Sequence, residues 1–451
     1  MPPRFGTDGI RGEANSELTP EIAVALGRAA ARRLGEGTYL VGRDTRRSGP
    51  MLQAALSAGL ASEGADVIDA GVIPTPGLAF VAGARSVPAA MISASHNPFA
   101  DNGIKLFGAG GTKLPLEVEV AVQDELDSLF SLAAGSRAGV SGSVPPGRVG
   151  TLRRDPDVAA SYVERLVSVV AGRTLVGGEV VVDCSNGAAS VVAPAVLERL
   201  GLRHTVLFAS PDGTNINAGC GSTHPEALAK EVVRRGASLG VAFDGDADRM
   251  LAVDERGGLV DGDQLMAMFA IDRLERDELA GGKVVITVMS NLGLRRSFAA
   301  RGIGIVETPV GDRHVADAME AEGLVLGGEQ SGHLIFAEHA STGDGLLTAL
   351  MLFELLGRRG GTLGELASAS MDRFPQVLEN VPVAEPSRLS AAESVWSEVT
   401  AVESELGEHG RVVLRPSGTE SCVRVMVEAP TSELASASAE RLVTAVRKAL
   451  A

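Results

Sequence analysis

Cysteine, aromatic residues and lysine are all scarce in this sequence. Three cysteines in 451 residues, Cys184, Cys220 and Cys422, form no CxxC pair. So sparse and odd a set excludes a disulfide framework and implies reduced thiols, so a cytoplasmic location is expected. Aromatic residues make up 3%, which leaves few platforms on which bases could stack. Only Lys105, Lys113, Lys230, Lys283 and Lys448 are lysines among 41 cations. The arginine excess reads as compositional bias, so an arginine counts toward a site only by its position. Against 57 acids the net charge is −16, which argues against a nucleic-acid partner, because affinity for phosphate backbones comes from clustered cations. No apolar run approaches the roughly 18–20 residues that span a bilayer. The longest, Leu346 to Leu356, is broken by Glu354. The opening residues Met1 to Gly6 lack the apolar segment of a secretory signal, so no membrane partner is expected.

What is present is the balance of a globular chain, 45% hydrophobic and 22% charged,. The length suggests about three domains of roughly 150 residues, or four smaller ones. Thr19-Pro20-Glu21 carries the cap, proline and acid that open a helix, and Gly35 closes it. A strand at Tyr39–Gly42, the polar loop Asp44 to Ser48, a helix over 51–62 and a strand over 65–70 then make a βαβ unit. The pattern recurs at Val180 to Gly201, through Ser185-Asn186-Gly187, and at Val284 to Gly302, through Ser290-Asn291-Leu292-Gly293. Three related α/β modules are expected. The Gly-, Ser- and Pro-rich stretch 133–150 reads as a linker. The C-terminal part differs: β runs at 411–414 and 422–428 precede a helix over 432–450, an α+β pattern with an antiparallel sheet. Boundaries are expected near 150, 250 and 370, giving domains 1–150, 151–250, 251–370 and 371–451.

Four loops carry chemistry. Ser93-Ala94-Ser95-His96-Asn97-Pro98 follows an apolar strand, where open α/β sheets bind ligands, and sets a serine beside a histidine. Asp244-Gly245-Asp246-Ala247-Asp248-Arg249 puts three carboxylates at alternate positions. Left alone they repel, and oxygen-only ligands favour a hard cation, Mg²⁺ first. An EF-hand is disfavoured, because the sixth position is not glycine. The shorter Asp261-Gly262-Asp263 lacks the third aspartate and the arginine and reads as an ordinary turn. Gly327-Gly328-Glu329-Gln330-Ser331-Gly332-His333 offers close backbone approach and hydrogen bonds suited to a neutral polyol. Arg415-Pro416-Ser417-Gly418-Thr419-Glu420 can hold a phosphate on amides, hydroxyls and a guanidinium. It is not a Walker loop, which needs Gly-Lys-Ser/Thr. Taken singly, the loops are ambiguous, the aspartate loop least so.

Together, in this order and along the whole chain, the four loops resemble those of the α-D-phosphohexomutase superfamily. Phe5 to Gly12, Ile92 to Phe107 and the Gln of Gly-Glu-Gln-Ser-Gly-His are similar to the bacterial branch that acts on glucosamine phosphates. One departure is His314, which follows Gly311-Asp312-Arg313 where the superfamily usually has tyrosine.

The resemblance implies an α/β fold of four domains around a central cleft, three related α/β domains with mixed sheets and a C-terminal α+β domain. It implies interconversion of D-glucosamine 6-phosphate and 1-phosphate through a phosphoserine at Ser95 and glucosamine 1,6-bisphosphate, feeding amino-sugar nucleotide and cell-wall synthesis. Mg²⁺, one per subunit, would be held by Asp244, Asp246, Asp248 and the phosphoserine. Arg11 and Arg249 would stabilise the phosphate. Lys105, with His96 second, would exchange the proton. Glu329, Ser331 and His333 would hold the sugar, and Arg415, Ser417, Gly418 and Thr419 its non-reacting phosphate. The implied partner is a small amino-sugar phosphate, and a homodimer is compatible with the resemblance. Alternatives are a phosphoglucomutase or phosphomannomutase with the same loops, a phosphatase acting through phosphoserine, and a sugar-phosphate sensor without turnover.

Overall fold

A computed structural model describes residues 4–6, 9–135, 144–417 and 421–450. Its described strands form four sheets, each followed or flanked by helices. In the first sheet the strand order is Ile10–Glu13, Asp101–Phe107, Ala89–Ile92, Thr38–Arg43, Asp66–Val72, Leu152–Arg154. The second runs Leu259–Val260, Met250–Val253, Leu239–Phe243, Glu179–Asp183, Arg203–Leu207, and the third Gly304–Thr308, Lys283–Thr287, Leu326–Gly328, Leu334–Phe336.

The repetition expected from the sequence is present as topology. In each of these three sheets a strand–helix–strand unit forms a parallel pair. A third strand joins the first of that pair in parallel. It then turns back into an antiparallel neighbour. The sheets are therefore mixed. The fourth sheet, Gln376–Pro382, Cys422–Glu428, Arg411–Pro416, is wholly antiparallel. Its first strand begins directly after Pro375, close to the boundary expected near 370.

Local chemistry explains the element ends. Thr19 caps helix Pro20–Leu34 by accepting from the Ile22 N–H, and Gly35, at φ 100°, ends it,. Helix Gly345–Arg359 contains the longest apolar run, and residues 345–356 are buried throughout. It belongs to the core shared by the second and third sheets, and Glu354 within it binds Arg358 at 3.0 Å. Its apolar length is thus core rather than bilayer, and no described helix is long and apolar enough to cross a membrane. Helix Leu116–Gly135 covers the first residues of the expected linker, and positions 136–143 lie outside the described residues. Strand Leu152–Arg154 pairs with Asp66–Val72 and so belongs to the first sheet. The second sheet extends to Val260.

The Ser-Asn-Gly loops singled out by the repeat are joints between domains. The Asn186 carbonyl accepts from Thr45 Oγ1 at 2.6 Å, tying the second domain to the first. The Leu292 N–H donates to Glu428 Oε2 at 3.1 Å, tying the third domain to the C-terminal one, and Asn291 clasps the Phe374 backbone just before that sheet, accepting its N–H at 3.0 Å and donating to its carbonyl at 3.0 Å. Asp261-Gly262-Asp263 is not a plain turn. Asp261 caps helix Gly262–Glu275 in a capping box with Gln264,, and the fully buried Asp263 accepts from the Asn291 N–H at 2.7 Å.

Candidate active site

All four chemical loops occupy the same place in their sheets, the reversal of the antiparallel strand pair. That common placement lets them meet. The serine loop joins Ala89–Ile92 to Asp101–Phe107, and the aspartate loop joins Leu239–Phe243 to Met250–Val253. Ser95 Oγ donates to Asp244 Oδ2 at 2.5 Å, and His96 Nδ1 lies 3.3 Å from the same hydroxyl. Ser93 is engaged otherwise: its hydroxyl donates to Asp44 Oδ2 at 2.7 Å and accepts the Ser95 N–H at 2.9 Å. Of the two serines, Ser95 is the one that faces the aspartate loop.

Asp244, Asp246 and Asp248 are buried, with one oxygen of each within 4.8 Å of the others. Among the described residues no other group of three or more metal-ligating side chains is so placed. Burial, then the charges of Asp248 and Asp246, push the Asp244 carboxyl well above its usual range,. Burial opposes ionisation of Asp248 too, but Lys105, His333 and Arg249 hold it well below. Lys105 Nζ sits 3.0 Å from Asp246 Oδ2 and 3.5 Å from Asp248 Oδ2. Thr75 Oγ1 donates to Asp246 Oδ2 at 2.6 Å. Asp246 Oδ1 and Asp248 Oδ1 are buried with no hydrogen-bond donor. Unmatched buried carboxylate oxygens, all hard ligands, fit a divalent cation.

The cations gather at the same point. The Arg249 N–H donates to Asp244 Oδ1 at 3.2 Å, and its guanidinium lies 3.2 Å from His96 Nδ1. Burial, then Arg249 and Arg11, push the His96 pKa down to about 4, so the ring is neutral near pH 7. Arg11 stands opposite Gly103 on the adjacent strand. A Cβ on Gly103 would lie 3.0 Å from Arg11 Cγ, so glycine leaves room for that side chain.

The sugar-loop candidates divide. Glu329 Oε1 accepts the Gly311 N–H at 2.9 Å, and Ser331 Oγ lies 3.3 Å from Glu329 Oε2. His333, expected among the sugar contacts, is placed otherwise. It is 1% exposed, its Nε2 accepts the Gly343 N–H at 3.0 Å, and its Nδ1 faces Asp248 Oδ2 at 3.8 Å. An accepting Nε2 leaves the proton on Nδ1, so His333 braces the aspartate loop. The departure at His314 lies on helix Asp312–Glu322 and faces a groove. Its neighbours Asp312 and Arg313 tie the third domain to the first through Lys113 and Glu119.

At the phosphate loop Arg415 stands in register with Arg424 on the neighbouring strand. Like charges placed opposite destabilise a strand pair unless an anion joins them. Burial, then Arg424, lowers the Arg415 pKa, while Glu329 raises it, so the sugar and phosphate loops share one electrostatic field. The Ser417 N–H donates to the Cys422 carbonyl at 2.9 Å. Gly418 and Thr419 lie outside the described residues.

Sequence reasoning missed Thr75, Arg424 and Asp44, and also Arg46 and Asn217, whose side chains both donate to the Ser95 carbonyl. Arg424 had a readable signal, an arginine facing Arg415 once the two β runs are paired. Asp44 and Arg46 lay in a loop noted only as polar, and neither Thr75 nor Asn217 adjoins a motif.

The chain matches models described as phosphoglucomutase/phosphomannomutase alpha/beta/alpha domain I over residues 2–132, domain II over 160–258 and domain III over 261–374, and the C-terminal domain over 378–445. It is 49% identical over 447 residues to a phosphoglucosamine mutase of Desulforudis audaxviator, covering 98% of this chain and 97% of that one. It is 50% identical over 452 residues to one of Salinispora arenicola, covering 99% and 98%. A solved phosphoglucomutase/phosphomannomutase family protein of Burkholderia thailandensis superposes with TM-score 0.78 at 26% identity, covering 98% and 97%. N-acetylphosphoglucosamine mutase of Aspergillus fumigatus, solved with GlcNAc-6P and magnesium, shares the fold at TM-score 0.72 and 20% identity, covering 99% and 96%.

Proposed function

This chain belongs to the phosphoglucomutase/phosphomannomutase family, and we propose from that premise that it interconverts D-glucosamine 6-phosphate and D-glucosamine 1-phosphate. Supporting the substrate is near-50% identity over essentially the whole chain to phosphoglucosamine mutases. Supporting the chemistry is one contact, Ser95 Oγ at 2.5 Å from Asp244 Oδ2. The work is cytoplasmic, supplying amino-sugar nucleotide synthesis.

Ser95 carries the phosphoryl group. In the first transfer the Ser95 O–P bond breaks and a bond from phosphorus to the free sugar hydroxyl forms, giving glucosamine 1,6-bisphosphate. The bisphosphate turns, and its other phosphate returns to Ser95. Each transfer moves one proton from the attacking hydroxyl. His96, held neutral, is suited to accept a proton, and Lys105, ion-paired with Asp246 and Asp248, is suited to donate one,. A Mg²⁺ ion held by Asp244, Asp246 and Asp248 would neutralise charge on the transferring group. Arg11 and Arg249 supply positive charge on the same side. Glu329 and Ser331 hold sugar hydroxyls, and Arg415, Arg424, Ser417, Gly418 and Thr419 hold the phosphate that is not reacting. Because one clamp serves both orientations, it reads the distal phosphate rather than the reacting carbon.

Two measurements test this reading. In a coupled assay with Mg²⁺, kcat/KM for glucosamine 6-phosphate is expected to exceed that for glucose 6-phosphate at least about tenfold, roughly 1.4 kcal/mol of transition-state binding. N-acetylglucosamine 6-phosphate should be poorer, because acetylation removes the charge and adds bulk. A better rate with glucose or mannose phosphate would keep the family and discard the substrate. Arg424→Ala should lower kcat/KM about 10- to 150-fold, the worth of a charge-assisted hydrogen bond of roughly 1.5–3 kcal/mol. Ser95 should still accept phosphate in that variant, and an unchanged kcat/KM would remove Arg424 from the clamp.

A further inference from the structure

A single guanidinium controls both backbone polar groups of Ser95. The Arg46 side chain is wholly buried. Its Nη2 donates to the Ser95 carbonyl at 2.8 Å and to the Asn97 carbonyl at 2.8 Å. Nη1 donates to the Asp101 carbonyl at 3.0 Å and also to that of Pro98. Nε binds Asp44 Oδ2 at 2.9 Å. That same carboxylate oxygen accepts from Ser93 Oγ, which in turn accepts the Ser95 N–H. The chain of contacts therefore leaves Arg46, runs through Asp44 and Ser93 to the Ser95 amide, and returns to Arg46 from the Ser95 carbonyl.

The second domain closes the arrangement. Asn217 Nδ2 donates to the same two carbonyls, Ser95 at 2.9 Å and Asn97 at 3.0 Å. Asn217 is fixed in turn by its N–H to the Ser185 carbonyl at 2.9 Å. Gly245 makes the approach possible, since a Cβ there would lie 2.5 Å from the Ser95 carbonyl oxygen and 3.0 Å from Asn217 Nδ2. Ser95 itself is held at φ 53°, a left-handed conformation that serine seldom adopts without support,.

We propose that Arg46 and Asn217 are positioning residues for the phosphoryl-carrying serine, clamping its peptide from two domains so that Oγ faces Asp244. Neither touches the reacting atoms. They act by denying the loop its relaxed conformations, in which the hydroxyl would leave the carboxylates. A displacement of about 1 Å at a reacting atom is enough for a hundredfold loss. The involvement of Asn217 also makes the serine's geometry depend on the second domain being docked. This inference rests on Ser95 being the phosphoryl carrier.

The test compares wild type with Asn217→Ala, Arg46→Lys and Arg46→Ala in the full chain. Arg46→Lys keeps a cation for Asp44 but cannot reach four carbonyls. For Asn217→Ala and Arg46→Lys, kcat should fall at least about tenfold while KM for the sugar phosphate stays within about threefold. Intact mass should show a smaller phosphorylated fraction, and the thermal unfolding midpoint of Asn217→Ala should stay near that of wild type. Free guanidinium should restore part of the activity of Arg46→Ala, a rescue that general loosening of the fold would not give. Unchanged kcat in Asn217→Ala, with Ser95 phosphorylated as in wild type, would overturn the proposal. Wild type carrying no phosphate on Ser95 would instead overturn the reading on which it rests.

Discussion

Ser95→Ala is expected to abolish turnover to the limit of a coupled assay. Alanine leaves nothing to carry the phosphoryl group, and the neighbouring serine cannot substitute. The Ser93 hydroxyl is fully buried, and both its donor and an acceptor position are in use, toward Asp44 and the Ser95 N–H. Ser95 Oγ has Asp244 on one side and neutral His96 on the other. Ser93→Ala should therefore retain measurable activity, lowered because the Ser95 amide loses its acceptor. Intact-mass and peptide mapping of the purified protein should place phosphate on Ser95, in wild type and in Ser93→Ala alike. Phosphate found reproducibly on Ser93 would reverse the two roles.

The sequence was most informative where chemistry is carried by consecutive residues. The aspartate loop reads as a metal site from spacing alone, and the fold brings its three carboxylates to one point. The repeated strand–loop–helix pattern anticipated three related sheets, and strand order repeats among them. What could not be read was the common address of the four loops. Antiparallel reversal depends on which strands pair, and residues such as Leu326–Gly328 and Leu334–Phe336 are too short to announce their partners. Contacts across domains were equally hidden. Thr75 and Asp246 are separated by 171 positions, yet their side chains meet at 2.6 Å. His333 shows the converse error. Its neighbours Glu329 and Ser331 suggested a sugar contact, but strand direction after the turn sends the ring inward to Gly343 and Asp248. Asp261-Gly262-Asp263 looked like a turn because its composition is that of a turn, and only the helix behind it makes it a cap.

Asp246→Asn should cost several decades of turnover, each decade corresponding to about 1.4 kcal/mol of barrier. The direction of the amide is decided by its neighbours. Asp246 Oδ2 accepts from Lys105 and Thr75, while Oδ1 has no donor. Lys105 can only donate, so the asparagine carbonyl must turn toward it. The amide NH₂ then occupies the position of Oδ1, offering hydrogens where a cation needs an oxygen. The variant keeps its shape and its internal contacts but loses one ligand and one negative charge. Mg²⁺ should raise the thermal unfolding midpoint of wild type and leave that of Asp246→Asn nearly unmoved. Saturating activity should require far more Mg²⁺ in the variant. A suitable control is Asp212→Asn, an exposed Asp-Gly turn whose Oδ1 accepts backbone N–H groups from Thr214 and Asn215. Asparagine can accept those bonds equally well, so activity and Mg²⁺ response should match wild type. If the two substitutions had equal effects, or if Asp246→Asn kept the wild-type Mg²⁺ response, the three aspartates would not be the cation site.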